Sequence, residues 1–256
     1  MEKKTVILIP ARYDSTRFPG KPLAPILGKP MIERVYERAK QVSGVSLVAV
    51  ATDSEKIFAA VKSFGGEAVM TRGDHLTGSD RLAEAADILG LLDSDVVVNV
   101  QGDQPALNPA HVSSLVESMR GSGASPVSTL AASFGDPVDV LNENHVKVVL
   151  SSLGRALYFS RAPIPYFRSG SPARHLKHVG IYAYQAGFLR EFVKLPQGDL
   201  ERAEGLEQLR ALERGYPVSV LVVEGAYPEV DVPEDLLIAE RVLSEQLRSR
   251  PKSSKS

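Results

Sequence analysis

Apolar positions along the chain follow two rhythms. The unbroken runs at residues 6–9 and 47–51 are too short for helices and predict buried strands. Between them Pro30 opens a segment in which Ile32, Val35, Ala39 and Val42 recur every three or four residues. That is the spacing of an amphipathic helix with proline in its first turn. Ile57, Val61 and Phe64 mark a second helix, stopped by Gly65-Gly66, and residues 68–70 form a short strand. Leu82, Ala86 and Leu89 mark a third helix, and residues 96–100 read as a fully buried strand. Strands alternating with helices in this way pair in parallel through right-handed crossovers, which predicts an α/β doubly wound sheet.

The second half is patterned differently. Residues 147–150 and 156–160 flank a turn at Gly154 and predict a hairpin. Residues 163–173, rich in proline, serine and arginine, predict a mobile loop. A strand is expected over 178–184, helices over 188–193 and 204–212, and a strand over 218–223. A final helix starts at Pro233-Glu234-Asp235 and carries Leu236, Leu237, Ile238, Ala239 and Val242. The basic stretch 248–256 reads as a disordered tail. With no internal repeat and no linker, residues 1–247 are expected to form a single domain.

Composition narrows the classes. Thirty Lys and Arg stand against 31 Asp and Glu, a net charge of -1 that argues against charge-driven nucleic-acid binding. Cysteine is absent, which excludes disulfides, thiolate catalysis and Cys-based zinc sites. The longest apolar runs, such as 47–51, fall far short of the roughly 18 residues of a membrane span. Residues 1–5 run straight into the first strand with no signal-peptide core, so a cytoplasmic protein is expected. A chain of 256 residues can bury about 70–75% of its unfolded surface, enough for one large core.

Ligands of open α/β sheets bind beyond the carboxyl ends of the strands, so the loops there carry the chemistry. The loop after the first strand, residues 10–23, holds Arg12, Arg17 and Lys21 with Gly20 and three prolines. Three cations on one short loop repel unless an anion such as a polyphosphate neutralises them; the alternative is a solvated surface loop. It is not a Walker A loop, because Ser15 and Pro22 break that pattern, and the chain has no GxGxxG. Asp103 follows the buried strand at 96–100, and Asp231 precedes the last helix. Either aspartate alone is an ordinary turn or cap residue, but both beside a cationic loop suggest a metal–phosphate site.

The opening loop, Pro10-Ala-Arg-x-x-Ser-x-Arg-x-Pro-Gly-Lys-Pro-Leu, resembles the signature of the sugar-acid cytidylyltransferases. Blocks at 51–53, 70–72, 98–103, 147–149, 156–165, 178–184, 206–210 and 230–235 follow in family order. Those at 156–165, 178–184 and 206–210 are similar to members acting on Kdo-type sugars, where Kdo is 3-deoxy-D-manno-octulosonate. The resemblance covers about residues 5–243 and implies a Rossmann-like three-layer sandwich of the nucleotide-diphospho-sugar transferase type. It also implies a mostly parallel central sheet, a dimerisation subdomain around 130–180 and a homodimer.

The implied reaction transfers CMP from CTP to the anomeric hydroxyl of Kdo, giving CMP-Kdo and pyrophosphate for lipopolysaccharide synthesis. Magnesium is the implied cofactor, held by Asp103 and Asp231, which with Lys21 form the implied catalytic set. Ala11, Arg12, Ser15, Arg17, Lys21, Thr52, Asp53 and Arg72 are implied nucleotide contacts. Arg81, Gln101, Arg161, His178, Tyr182, Glu207 and Gln208 are implied sugar contacts. Gln104 stands where many members have Glu, and the lost carboxylate beside Asp103 leaves the sugar's terminal substituent open. An 8-amino Kdo analogue and a sialic-type acid are the alternative substrates, and a non-catalytic nucleotide sensor is the remote one.

Overall fold

A computed structural model describes residues 3–14, 18–121, 123–135, 137–168 and 174–248 of the protein. Strand β1 (Thr5–Ala11) leads through a small hairpin, β2 (Pro25–Ile26) and β3 (Lys29–Pro30), into helix α1 (Met31–Ala39). Then come β4 (Leu47–Thr52), α2 (Glu55–Ser63), β5 (Glu67–Met70), α3 (Gly78–Ile88) and β6 (Val96–Asn99). β1 lies between β4 and β6, parallel to both, and β5 extends the sheet beyond β4. Alternate side chains of β1 enter different cores: Val6 and Leu8 pack with Leu82 and Ala86 of α3, Ile7 and Ile9 with Val35 of α1 and Ile57 of α2. Burial on both faces explains why these strands read as unbroken apolar runs. Each such side chain contributes about 1.5–3 kcal/mol of hydrophobic free energy.

The second half supplies α4 (Pro109–Ser118), β7 (Val127–Ser133), the hairpin β8 (Lys147–Leu150) and β9 (Ala156–Ser160), and β10 (Leu176–Gln185). Helices α5 (Ala186–Phe192), α6 (Asp199–Glu204) and α7 (Leu209–Glu213), strand β11 (Val218–Val223) and α8 (Asp235–Arg248) complete it. The sheet runs β11-β7-β10-β6-β1-β4-β5, with β8 and β9 hanging from β10. β10 is antiparallel to both neighbours, Tyr182 facing Asn99 on β6 and Thr129 on β7, with a register shift between Val179 and Tyr182. β11 and β7 are parallel again.

The expected strands and helices are present, with one correction. The helix predicted over 204–212 is divided: α6 stops at Glu204 because Gly205 takes the left-handed conformation (φ 61°), and α7 begins only at Leu209. α4 and β7 are additional to the elements expected. Residues 169–173 of the expected loop, and residues 249–256 of the expected tail, lie outside the described residues. A third small core joins Ile26, Met31, Ala106 and Val230 to Ala239 and Leu243 of α8. It fixes the irregular segment that carries Asp231. No helix among the described residues is long and apolar enough to cross a membrane.

Candidate active site

The carboxyl ends of β1 and β6 open into a cavity of about 340 Å³. Lys21 enters it from one side. Gly20, at φ 71°, makes the left-handed turn that starts the short 3-10 helix carrying Lys21, and its N–H bonds back to the Tyr13 carbonyl at 3.0 Å. Lys21 Nζ donates to Asp103 Oδ2 and to the Val230 carbonyl, both at 2.8 Å, and lies 3.8 Å from Asp231 Oδ1. The Val230 N–H donates to the Asp103 carbonyl at 3.0 Å, so the two loops that hold the aspartates are laced together.

The opposite wall is the start of α3. Thr77 caps it, with Thr77 and Asp80 exchanging reciprocal side-chain-to-backbone hydrogen bonds. Thr77 and Gly78 line the cavity, so the positive end of the helix dipole faces it, as anion binding requires. Gly102 forms part of the floor, where an added Cβ would lie 3.0 Å from the Pro10 carbonyl oxygen. Arg81, buried on α3, reaches Asp53 Oδ2 at 3.0 Å, Thr71 Oγ1 at 2.5 Å and the Arg72 carbonyl at 3.3 Å.

The structure thus brings Ala11, Arg12, Lys21, Arg81, Gln101, Asp103 and Asp231 to one cavity. Arg81, expected beside the sugar, sits with the nucleotide candidates through Asp53. Thr52 is fully buried, its hydroxyl accepting from Ser54 N–H at 3.1 Å. Arg72 points elsewhere, lining an adjoining groove and pairing with Asp74 and Glu84 at 3.6 Å. Ser15 and Arg17 lie outside the described residues.

Most of the remaining sugar candidates gather around β10, whereas Arg161 does not. Gln101 reaches from the cavity to it, donating to the Gly180 carbonyl at 3.3 Å. His178 meets Thr129 Oγ1 at 3.0 Å and packs its ring between Phe159 and Tyr182. Burial pushes its pKa down to about 3, so His178 is a neutral imidazole and a weak base. The Tyr182 hydroxyl is pushed well up, by burial first and then by Tyr184 and Glu207. Glu207 Oε2 accepts from Ser79 Oγ at 2.8 Å, which ties the 205–208 turn to the first turn of α3. Its carboxyl is pushed up by burial, against the opposing pull of Ser79 and Arg210. Gln208 instead borders a small apolar void with Tyr182 and Tyr184. Arg161 donates to the carbonyls of Glu204 at 2.7 Å and Glu143 at 3.0 Å.

One cavity-lining residue, His75, went unmarked in the sequence. It contacts Glu84; its position within 71–80, directly before Arg81, was the available signal. Lys147 has no exposed surface, and its ammonium bonds the carbonyls of Asn142 (3.0 Å) and Arg161. Burial lowers its pKa. Gln104 is fully buried and turns its amide to Glu229 Oε1 at 2.9 Å, not into the cavity. Glu229 is open to solvent but crowded by protein, and the lost hydration, ahead of the Asp103 charge, pushes its carboxyl up.

The donor set suits a hard divalent cation of the magnesium type. Asp103 and Asp231 converge on one point, and the Lys21 ammonium occupies it as a cation already. Magnesium is commonly held by one or two carboxylates, with water and substrate phosphates completing its shell. No group of three or more His, Cys, Asp or Glu gathers for a metal among the described residues, so a cage made wholly of such side chains is not on offer there.

Residues 6–222 match a family model described as cytidylyltransferase. A 3-deoxy-manno-octulosonate cytidylyltransferase of Syntrophobacter fumaroxidans is 52% identical over 245 residues, covering 94% of this chain and 98% of the relative. An 8-amino-3,8-dideoxy-manno-octulosonate cytidylyltransferase of Shewanella pealeana is 51% identical over 239 residues, covering 93% and 98%. A solved structure of CMP:2-keto-3-deoxy-manno-octonic acid synthetase complexed with CTP aligns with a TM-score of 0.91 at 45% identity, covering 95% of this chain and 100% of that one.

Proposed function

The chain belongs to the cytidylyltransferase family, and from that membership we propose that it transfers CMP from CTP to the anomeric hydroxyl of 3-deoxy-manno-octulosonate, releasing pyrophosphate. The product is the activated sugar for lipopolysaccharide synthesis. The observation that carries the reading is the convergence of Lys21, Asp103 and Asp231 at a cavity whose far wall is the α3 N-terminus. Such a site accepts a chain of phosphates at one end and a hard cation at the other.

In this reading Arg12, Lys21 and the α3 amides hold the triphosphate and offset the charge that builds on the departing pyrophosphate. Asp103 and Asp231 would hold magnesium, which when bound polarises the α-phosphate and favours the ionised sugar hydroxyl. Gln101, donating to β10, positions the acceptor end of the cavity. The hydroxyl attacks phosphorus in line with the leaving pyrophosphate, and the protein's main contribution is to hold the two reactants in that alignment. His178 shapes the acceptor side and does not exchange protons near neutral pH.

Leu153 and Leu157, 78% and 63% exposed on the β8–β9 hairpin, support the homodimer reading. A cytoplasmic location goes with the substrates. The test is pyrophosphate release from CTP with Kdo, the 8-amino analogue and a sialic acid side by side. Release with Kdo is expected. The 51% identity to the 8-amino enzyme makes preference for that analogue the second reading. CTP binding without release under every sugar would leave only a nucleotide sensor.

A further inference from the structure

We infer that Gln104 is a positioning residue: its hydrogen bond to Glu229 ties the segment bearing Asp231 against Asp103. The inference rests on the proposed reading of those two aspartates as the carboxylates that hold the metal. Asp103 and Asp231 are 128 positions apart in sequence, and the segment between β11 and α8 has no regular structure to fix it. Residues 224–226 of that segment are exposed.

Val230 is anchored in apolar surroundings, and it bonds through its N–H to the Asp103 carbonyl and through its carbonyl to Lys21. Those contacts secure one residue. On the α8 side of this anchor the Asp231 and Val232 N–H groups donate to Asp235 Oδ2 at 2.8 and 3.0 Å, so what remains to be held is the side on which the chain arrives from β11. The Gln104 amide secures position 229, on the other side of the anchor, at 2.9 Å.

Gln104 is suited to this. It has no exposed surface, and its backbone is held in the turn after β6 by Gln104 N–H to the Gln101 carbonyl (3.3 Å) and Leu107 N–H to its own carbonyl (3.2 Å). Its side-chain oxygen is buried with no hydrogen-bond partner, so the amide nitrogen is the end of the group that is used. A fully buried polar side chain that satisfies only its bond to Glu229 is costly to keep for packing alone, since an apolar residue would fill the same space. Because Gln104 follows Asp103 directly, the bond fixes the two carboxylate loops to each other with very little chain between tie and ligand.

The test separates the tie from the charge. Gln104→Met keeps the buried shape and removes the donor. Glu229→Gln removes the charge, while the new amide carbonyl still accepts from Gln104. Amide hydrogen exchange at Val230, measured without metal, is expected to quicken about ten-fold in Gln104→Met, the effect of losing one hydrogen bond to a charged group. The magnesium concentration giving half-maximal pyrophosphate release is expected to rise about ten-fold in the same variant. Glu229→Gln should stay within about two-fold of the parent in both.

Parental values in Gln104→Met overturn the proposal. So does Glu229→Gln being equally impaired, because the carboxylate charge would then be the cause. Faster Val230 exchange with an unchanged magnesium requirement overturns the positioning role and leaves a structural bond. If the parent enzyme shows no magnesium requirement, the metal reading itself fails, and the metal-free exchange experiment still decides the tie.

Discussion

Arg81→Met probes how the nucleotide side of the cavity is held. Arg81 is 4% exposed, and its guanidinium holds Asp53, Thr71 and the Arg72 carbonyl together. Breaking a buried ion pair from one side costs about 3–5 kcal/mol because the other charge is left uncompensated. Asp53 retains 22% of its side-chain exposure, so water relieves part of this and the low end, about 3 kcal/mol, applies. For a chain of this size that lowers the melting temperature by roughly 6–12 °C. Adding Asp53→Asn removes the stranded charge and should recover about 1–2 kcal/mol, the coupling expected of residues in direct contact.

Nucleotide affinity should not recover with it. Arg81 lines the cavity, and a lost cation there is expected to raise the KM for CTP about ten-fold, with a smaller fall in kcat. Thermal unfolding of the single and double variants, with initial rates of pyrophosphate release against CTP concentration, measures both. A double variant no more stable than Arg81→Met would refute the stranded-charge account. A KM for CTP that moves less than about two-fold would refute the proposal that Arg81 lies beside the nucleotide.

The parallel half of the fold is legible in the sequence because hydrophobicity alone dictates it: strands buried on both faces and helices with one apolar stripe leave distinct periods. β7 leaves no such period. Its residues include Ser128 and Thr129, both buried, and Thr129 satisfies its hydroxyl by donating to the Ile181 carbonyl at 2.7 Å. A polar residue that is inside because a neighbouring strand accepts its proton looks, in one dimension, like a loop residue. The site shows the same division. Lys21, Asp103 and Asp231 were marked by their place at the ends of elements, and they meet. Arg72 was marked by its block, yet its side chain leaves on the far side of the β5–α3 connection, a direction no spacing encodes. The contact of Gln104 with Glu229 spans 125 residues and had no local signal.

Further outcomes are expected. Asp103→Asn should lower kcat by about 10³-fold or more with the melting temperature nearly unchanged, and near-normal turnover would remove Asp103 from the metal site. Gly102→Ala places a methyl 3.0 Å from the Pro10 carbonyl oxygen, which should cost about 1–3 kcal/mol of stability and narrow the cavity floor; unfolding and CTP titration together check it. His178 titrates near 3 when folded against 6.5 when unfolded. The unfolded chain therefore binds the extra proton, and the stability due to keeping His178 neutral is lost as pH falls below about 6.5, by up to about 1.4 kcal/mol per pH unit. Urea unfolding between pH 7 and 5 should show a shallower loss in His178→Gln, and equal slopes would contradict the buried neutral imidazole.

The reversal of β10 brings residues from two opposed strand directions to one sheet edge. In a wholly parallel sheet every strand delivers only its carboxyl end to the ligand side. β10 runs the other way, and its pairing of Tyr182 with Asn99 and Gln185 with Val96 carries its earlier residues toward the carboxyl end of β6. His178 and Gly180 therefore reach the edge where Asp103 emerges, and Gln101 bridges the two strands through the Gly180 carbonyl. β7, antiparallel to β10, ends at the same edge. In the proposed reading the nucleotide side is built by β1, β4, β5 and the start of α3, and the acceptor side by β10 and the turn at 205–208. Glu207, bonded to Ser79, joins the acceptor turn to the helix that caps the nucleotide side. The two substrate sides thus share α3 as a common wall, so displacement of its first turn should disturb both at once, whereas substitutions confined to either strand set should disturb one.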